Sequence, residues 1–179
     1  MAIVSYCLLL GCGSSDHLVP LSVGKKWDYR FRWGVRQETG KLEVVREVPV
    51  ANGTGWELRS PMGVSRLGYE GDRLVATQLG DAFLVPPLPI GLPVGKKTTW
   101  QGWITTHAGK KAAKASIAAE SDKQKIAGRT RTLNKTVVQL KTESTSTELA
   151  TWYAPGDGIV LQEQVSNGKV ALAVTRVSG

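Results

Sequence analysis

The chain is poor in the residues on which most enzymes and metal proteins are built. Of its 179 residues, two are cysteine and two are histidine. Both cysteines, Cys7 and Cys12, fall at the very start, so nothing beyond residue 12 can form a disulfide or a thiolate metal site. His17 and His107 lie far apart, and neither has a second histidine or a carboxylate at zinc-ligand spacing. A Gly-x-Ser-x-Gly elbow, a phosphate loop and a dinucleotide fingerprint are all missing. Gly156 and Gly158 do form a Gly-x-Gly, but between two strands rather than between a strand and a helix. The fifteen Asp and Glu residues are scattered, with no pair spaced as a catalytic dyad, although carboxylates from distant strands can meet. No catalytic residue, metal ligand or cofactor is therefore assigned. Long hydrophobic runs are lacking too. Ala2 to Leu10, the most apolar stretch, has roughly nine residues where a membrane-spanning helix needs about 20.

That short run has the length of a secretory h-region, and it ends at Gly11-Cys12. The residues behind it, Gly13-Ser14-Ser15-Asp16, are small or polar and offer nothing to pack. Leu9-Leu10-Gly11-Cys12 resembles the lipobox of bacterial lipoproteins. The resemblance implies that residues 1–11 are a signal peptide, that cleavage falls before Cys12, and that the Cys12 sulfur carries a diacylglyceryl group. Two or three acyl chains hold a protein on a membrane far more firmly than one. The expected location is the cell envelope, lipid-anchored. With Gly13 rather than Asp behind the cysteine, it is the outer membrane facing the periplasm if the organism has two membranes. Residues 12–19 are then the lipidated tether, and residues 20–179 a single folded domain large enough to bury a core without cross-links.

The periodicity of that domain is that of strands. In Trp27-Asp28-Tyr29-Arg30-Phe31-Arg32-Trp33, four aromatics alternate with three charged residues, which puts all the aromatics on one face of a sheet. Shorter alternations recur through the chain, at Trp56 and Leu58, at Val138 and Leu140, and at Val170, Leu172 and Val174. Turn signals such as Asn52-Gly53, Gly71-Asp72 and Asn167-Gly168 separate them. The pattern predicts an all-β antiparallel meander. Ala108 to Ala119 is rich in helix formers, but Ala113, Ala115, Ile117 and Ala119 keep a period of two and read as a strand. Pro20-Leu21-Ser22-Val23-Gly24-Lys25-Lys26 returns as Gly91-Leu92-Pro93-Val94-Gly95-Lys96-Lys97, each copy leading into a Trp-containing strand. The proline-rich segment before the second copy marks a seam near residues 85–93 between two sheet halves of one domain.

Pro20 to Tyr29, reading Pro-Leu-x-Val-Gly-Lys-Lys-Trp-x-Tyr, and Trp152-Tyr153-Ala154-Pro155-Gly156-Asp157-Gly158-Ile159-Val160 resemble motifs of uncharacterised bacterial envelope lipoproteins. That resemblance implies a twisted antiparallel sheet or half-open barrel like that of the lipoprotein carriers. It supplies no catalytic residues and no agreed activity. Asp157 stands where that group often has Val or Ala, at a turn position that tolerates it.

Charge is distributed unevenly. Lys96, Lys97, Lys110, Lys111, Lys114, Lys123, Lys125, Arg129, Arg131 and Lys135 face only Glu120 and Asp122 over residues 96–135, so this stretch carries the whole formal charge of +8. On adjoining strands these side chains are expected to gather on one exposed face, opposite Ala113, Ala115 and Ile117. Such a face suits an anionic lipid, an envelope polymer or an acidic protein partner. Nucleic acid is not expected for an exported protein. Of the six tryptophans, Trp103 has the opposite parity to Trp100 and is expected outside, the others in the core. The leading functional reading is a lipid-anchored, non-enzymatic protein that binds or scaffolds an acidic or protein partner. One alternative is a carrier of a hydrophobic ligand, an acyl chain or a lipoprotein, in a half-barrel. Another is an enzyme built from the scattered carboxylates. An open apolar cavity favours the carrier and a solid core favours the scaffold.

Overall fold

The computed structural model describes residues 17–126 and 128–177. Cys12, the signal segment and most of the tether lie outside the described residues. The described residues form twelve strands: β1 (Lys26–Trp33), β2 (Arg36–Val50), β3 (Gly53–Ser60), β4 (Gly63–Glu70), β5 (Arg73–Leu79), β6 (Ala82–Gly91), β7 (Lys97–Thr106), β8 (Gly109–Ile126), β9 (Arg129–Thr142), β10 (Ser146–Ala154), β11 (Gly158–Ser166) and β12 (Lys169–Arg176). Each pairs antiparallel with its neighbours in sequence, and β1 pairs with β12, so the expected antiparallel meander closes into a complete barrel. Every described strand has a partner on both sides, but β6 and β7 pair only over Phe83, Leu84 and Val85 with Thr105, Ile104 and Trp103.

Side-chain parity decides what the barrel contains. On β1, Trp27, Tyr29 and Phe31 are buried while Asp28, Arg30 and Arg32 are exposed. On β8, Ala113, Ala115, Ile117 and Ala119 are buried in the same alternation, and the segment is a strand as its period indicates. The Asn167-Gly168 turn has φ of 49° and 78° at its two central residues, the left-handed pair that a two-residue hairpin needs to match strand twist.

The repeated turn has the same geometry in both copies. Gly24 N donates to Val44 O at 2.8 Å and Val44 N to Lys25 O at 2.9 Å; Gly95 N donates to Ala119 O at 2.8 Å and Ala119 N to Lys96 O at 2.9 Å. Each copy thus pins the start of a strand, β1 or β7, to the strand that follows it, β2 or β8. Both copies lie at the same end of the barrel, the floor. There Leu18, Val19, Tyr29, Ile90, Leu92 and Tyr153 are all buried. Leu18 and Val19, read from sequence as tether, are therefore part of the core. His17, the first described residue, is tied to the floor: its carbonyl accepts from Gly156 N at 2.9 Å and its ring lies 4.2 Å from that of Tyr69.

Trp152, expected in the core, lies elsewhere. It is buried, but on the outside of the barrel, in a separate cluster with Leu133, Ala150, Ala154 and Val160. The far half of the β8–β9 hairpin folds over β10 and β11 to cover it. Trp152 Nε1 donates to Asp122 Oδ2 at 2.6 Å, and the Lys135 ammonium sits 5.2 Å from the indole centre. The indole N–H holds the Asp122 carboxyl below its usual range, with Gln124 assisting.

Candidate functional site: the barrel lumen

Twelve strands enclose more space than the core side chains fill. The inner compartment, about 370 Å³, stands directly on the aromatic floor. Its wall is made by Phe31, Leu42, Leu58, Leu67, Leu172 and Val174, with Gln162, Gln164, Ser60 and Ser65 as polar groups and Met62, Gly80 and Asp81 at its lip. Further toward the opposite end lies a rim compartment of about 360 Å³. It shares Leu79, Asp81, Leu149 and Gln164 with the inner one, so the two adjoin. Its lining turns polar outward, from Leu84, Leu88, Ile104 and Val138 to Thr106, Lys111, Thr142, Thr145 and Thr147. The β5–β6, β7–β8 and β9–β10 turns form this mouth. An apolar cleft of several hundred Å³ with a few placed polar groups is the common form of a small-ligand site.

The floor is sealed by hydrogen-bonded phenols. Tyr29 donates to Ile159 O at 2.6 Å, Tyr153 to Ile90 O at 2.8 Å, and Tyr69 to Val19 O at 3.0 Å while accepting from Val19 N at 2.9 Å. Burial raises all three hydroxyls above the ordinary tyrosine value, Tyr69 to about 12. Sequence reading missed Asp157 as a structural residue. Its carboxylate meets Arg176 at 2.9 Å and Arg131 at 3.7 Å, and its carbonyl accepts from Trp27 Nε1 at 3.0 Å. One turn residue thereby joins the floor, the last strand and the β8–β9 overhang.

The basic residues do not share one face. Lys97 on β7 points outward, as do Lys110 and Lys114, which pair with the outward-facing Thr105 and Gln101 of that strand. Lys111 has the opposite parity, pairs with Ile104 and faces the mouth, and among the described residues it is the one basic side chain lining the two compartments. Lys96 belongs to the floor turn. Lys123, Lys125 and Arg129 lie on the overhanging end of the hairpin. Arg131 is engaged with Asp157, and Lys135 with Glu120 at 3.4 Å. The reason is parity: adjacent residues of a strand lie on opposite faces, and a run such as Lys110-Lys111 must split.

Of the carboxylates, Glu57 is the most buried charged side chain. It lies on the outer wall, away from the lumen, beneath Arg46 at 2.8 Å, Arg66 at 3.3 Å and Arg59 at 3.5 Å. The hydrogen bond from Arg46 holds it below the usual carboxylate range. An acid kept ionised and capped by three guanidiniums is an anchor for the wall rather than a proton donor. His107 is exposed, with Nδ1 3.0 Å from Asp81 Oδ2 on the neighbouring turn. Among the described residues no group of three or more His, Cys, Asp or Glu could hold a metal ion, and no helix is long and apolar enough to cross a membrane.

No protein-family model matches the chain, and no curated protein matches it in sequence. Solved structures do. A protein of Parabacteroides distasonis provisionally assigned as a lipoprotein is 10% identical with a TM-score of 0.52, over 89% of this chain and 96% of its own. A provisionally exported protein of Bacteroides fragilis with a YmcC-like fold is 12% identical with a TM-score of 0.47, over 88% of this chain and 96% of its own. The hypothetical lipoprotein YmcC of Escherichia coli is 11% identical with a TM-score of 0.45, over 87% of this chain and 88% of its own. The likeness to the Parabacteroides protein is one of fold alone, over almost the whole length of both chains.

Proposed function

We propose that this protein is a lipid-anchored, non-enzymatic carrier of the cell envelope that holds the acyl part of an amphiphile in its barrel. The observation that carries this reading is the pair of adjoining lumen compartments, apolar above the tyrosine floor and ringed at the mouth by threonines and Lys111. An acyl chain in the inner compartment would bury apolar surface at about 25 cal/mol per Å². A polar or anionic head would then lie among Thr106, Thr142, Thr145 and Lys111. A scaffold would need no such space, and the lumen lining contains one carboxylate, Asp81, where a two-carboxylate enzyme needs two. His17 leaves the floor, so an anchor at Cys12 would attach at the closed end and leave the mouth open to ligand.

The test is titration with dansyl-labelled undecanoic acid, read by its fluorescence. Leu149 lines both compartments, so Leu149→Trp should fill the passage and weaken binding at least tenfold. Val35→Trp, on an exposed turn, should leave it unchanged; far-ultraviolet circular dichroism confirms the fold of each. Equal binding by both variants, or none by the wild type, would overturn the carrier reading.

A further inference from the structure

The outer wall opposite the Glu57 cluster has a different character from the rest of the surface. Between Asp81 and Glu120 the chain contains no carboxylate. On β6 and β7, Val85 pairs with Trp103 and Phe83 with Thr105, which places Phe83, Val85 and Trp103 together on the outside. They are 45%, 63% and 46% exposed, where large apolar side chains are ordinarily covered. The Lys110 ammonium lies 4.6 Å from the Trp103 ring centre. Lys114 pairs with Gln101 on one side and Lys141 on the other. The positions beside them, Ala112, Ser116 and Gln139, are small or neutral, and the first carboxylate is at the margin, where Glu148 of β10 accepts from Gln139 at 3.5 Å.

We infer that this β6–β9 face docks on an anionic phospholipid surface, Trp103 with Phe83 and Val85 entering the headgroup region while Lys110, Lys114 and Lys141 meet the phosphates. Tryptophan is the residue most at home where an apolar body and a polar edge are both needed, and lysines near an anionic bilayer each contribute on the order of 1 kcal/mol. A second copy of the chain is the poorer occupant. A two-fold contact would place the same face against itself, so three lysines would meet three lysines with a carboxylate only at the margin, at Glu148. The inference is independent of the ligand in the lumen. Because Phe83 and Lys110 lie next to the mouth turns, docking would also bring the mouth beside the bilayer.

The experiment uses the full chain carrying Cys12→Ser, so that no lipid anchor contributes. It is mixed with vesicles of phosphatidylcholine alone or with phosphatidylglycerol added, containing brominated acyl chains that quench nearby tryptophan. The quantity read is the part of the quenching that disappears in Trp103→Phe, which any binding through the N-terminal segment does not supply. Quenching is expected with the anionic vesicles only, and it should fall as salt rises because exposed charges are screened. Changing Lys110, Lys114 and Lys141 together to Gln should raise the half-saturating lipid concentration about 100-fold, from three lysines at about 1 kcal/mol each. Changing Arg30, Arg32 and Lys41 to Gln removes the same charge from the opposite wall and should change it less than threefold. Equal losses from the two triple variants, or equal quenching with neutral vesicles, would overturn the inference. So would concentration-dependent dimerisation lost in Trp103→Phe without vesicle quenching, which would assign the face to a second copy.

Discussion

At the floor of the barrel each of three phenolic hydroxyls is tied to a backbone carbonyl, and the first described residues of the chain are threaded among them. At the mouth, the lining side chains include leucines, threonines and Gln164, and the threonine hydroxyls bond within their own turns or to an adjoining strand rather than across the barrel. The two ends are built from the same twelve strands, so the difference lies in what fills them. Burial of aromatic rings with satisfied hydroxyls is concentrated at one end. The other end can then keep open space, because a closed barrel does not depend on its mouth for hydrogen bonding. Stability and ligand space are separated along the barrel axis.

The sharpest break of this comparison is at Tyr153, which is fully buried and donates to Ile90 O. Tyr153→Ala should cost about 3–5 kcal/mol, the range for truncating a large buried aromatic. Chemical denaturation would measure it. A loss below about 1 kcal/mol would mean that the floor is not the stabilising end.

Much of this could be read in the sequence, and the parts that could not share a cause. The β1 and β8 alternations name their own buried faces because each signal is local. The parity that turns Lys111 inward was equally visible, since it shares the odd positions of Ala113 and Ala115. Reading the basic stretch as a block concealed it. Closure of β1 on β12 joins residues near the two ends of the chain, and no local pattern encodes it. Alternation also cannot tell an interlocked core from a lumen: Phe31, Leu58 and Leu172 look the same in either, and only the number of strands around them decides. Leu18 and Val19 carried a signal, two apolar residues after a polar stretch, but their burial depends on Tyr69, some 50 positions away.

A smaller effect with a pH signature is expected at Tyr69. Tyr69→Phe removes both bonds to Val19 and should cost about 1–3 kcal/mol, the penalty for leaving buried backbone groups unpartnered. The direction of pH dependence follows from the raised pKa. The folded state holds the phenol proton more tightly than the unfolded chain, where tyrosine titrates near 10. The stabilisation is therefore complete below about pH 10 and is lost as pH rises toward the folded value of about 12. Stability of the wild type should fall over that interval and that of Tyr69→Phe should fall less, as followed by denaturant midpoints at successive pH values. Parallel curves would show that the floor tyrosines do not sense solvent through Tyr69.

The smallest effect belongs to the mouth. Gln164 lies in both compartments, and its contact with Ser166 Oγ is long, at 3.5 Å. Gln164→Leu nearly preserves side-chain volume and removes an amide that water can otherwise serve, so stability should stay within about 0.5 kcal/mol. For a chain of this size that is a shift of about 1–2 °C in Tm, within reach of scanning calorimetry. The same change makes the passage between the compartments more apolar, so a bound chain loses no contact there and dansyl-undecanoic acid should bind at least as tightly as to the wild type. A floor variant should show the reverse pattern, a large stability loss with the lumen residues intact. If Gln164→Leu instead destabilised the protein by several kcal/mol, the mouth would be part of the folding core, and the separation between a stabilising floor and an open, ligand-bearing mouth would fail at the residue where it is easiest to measure.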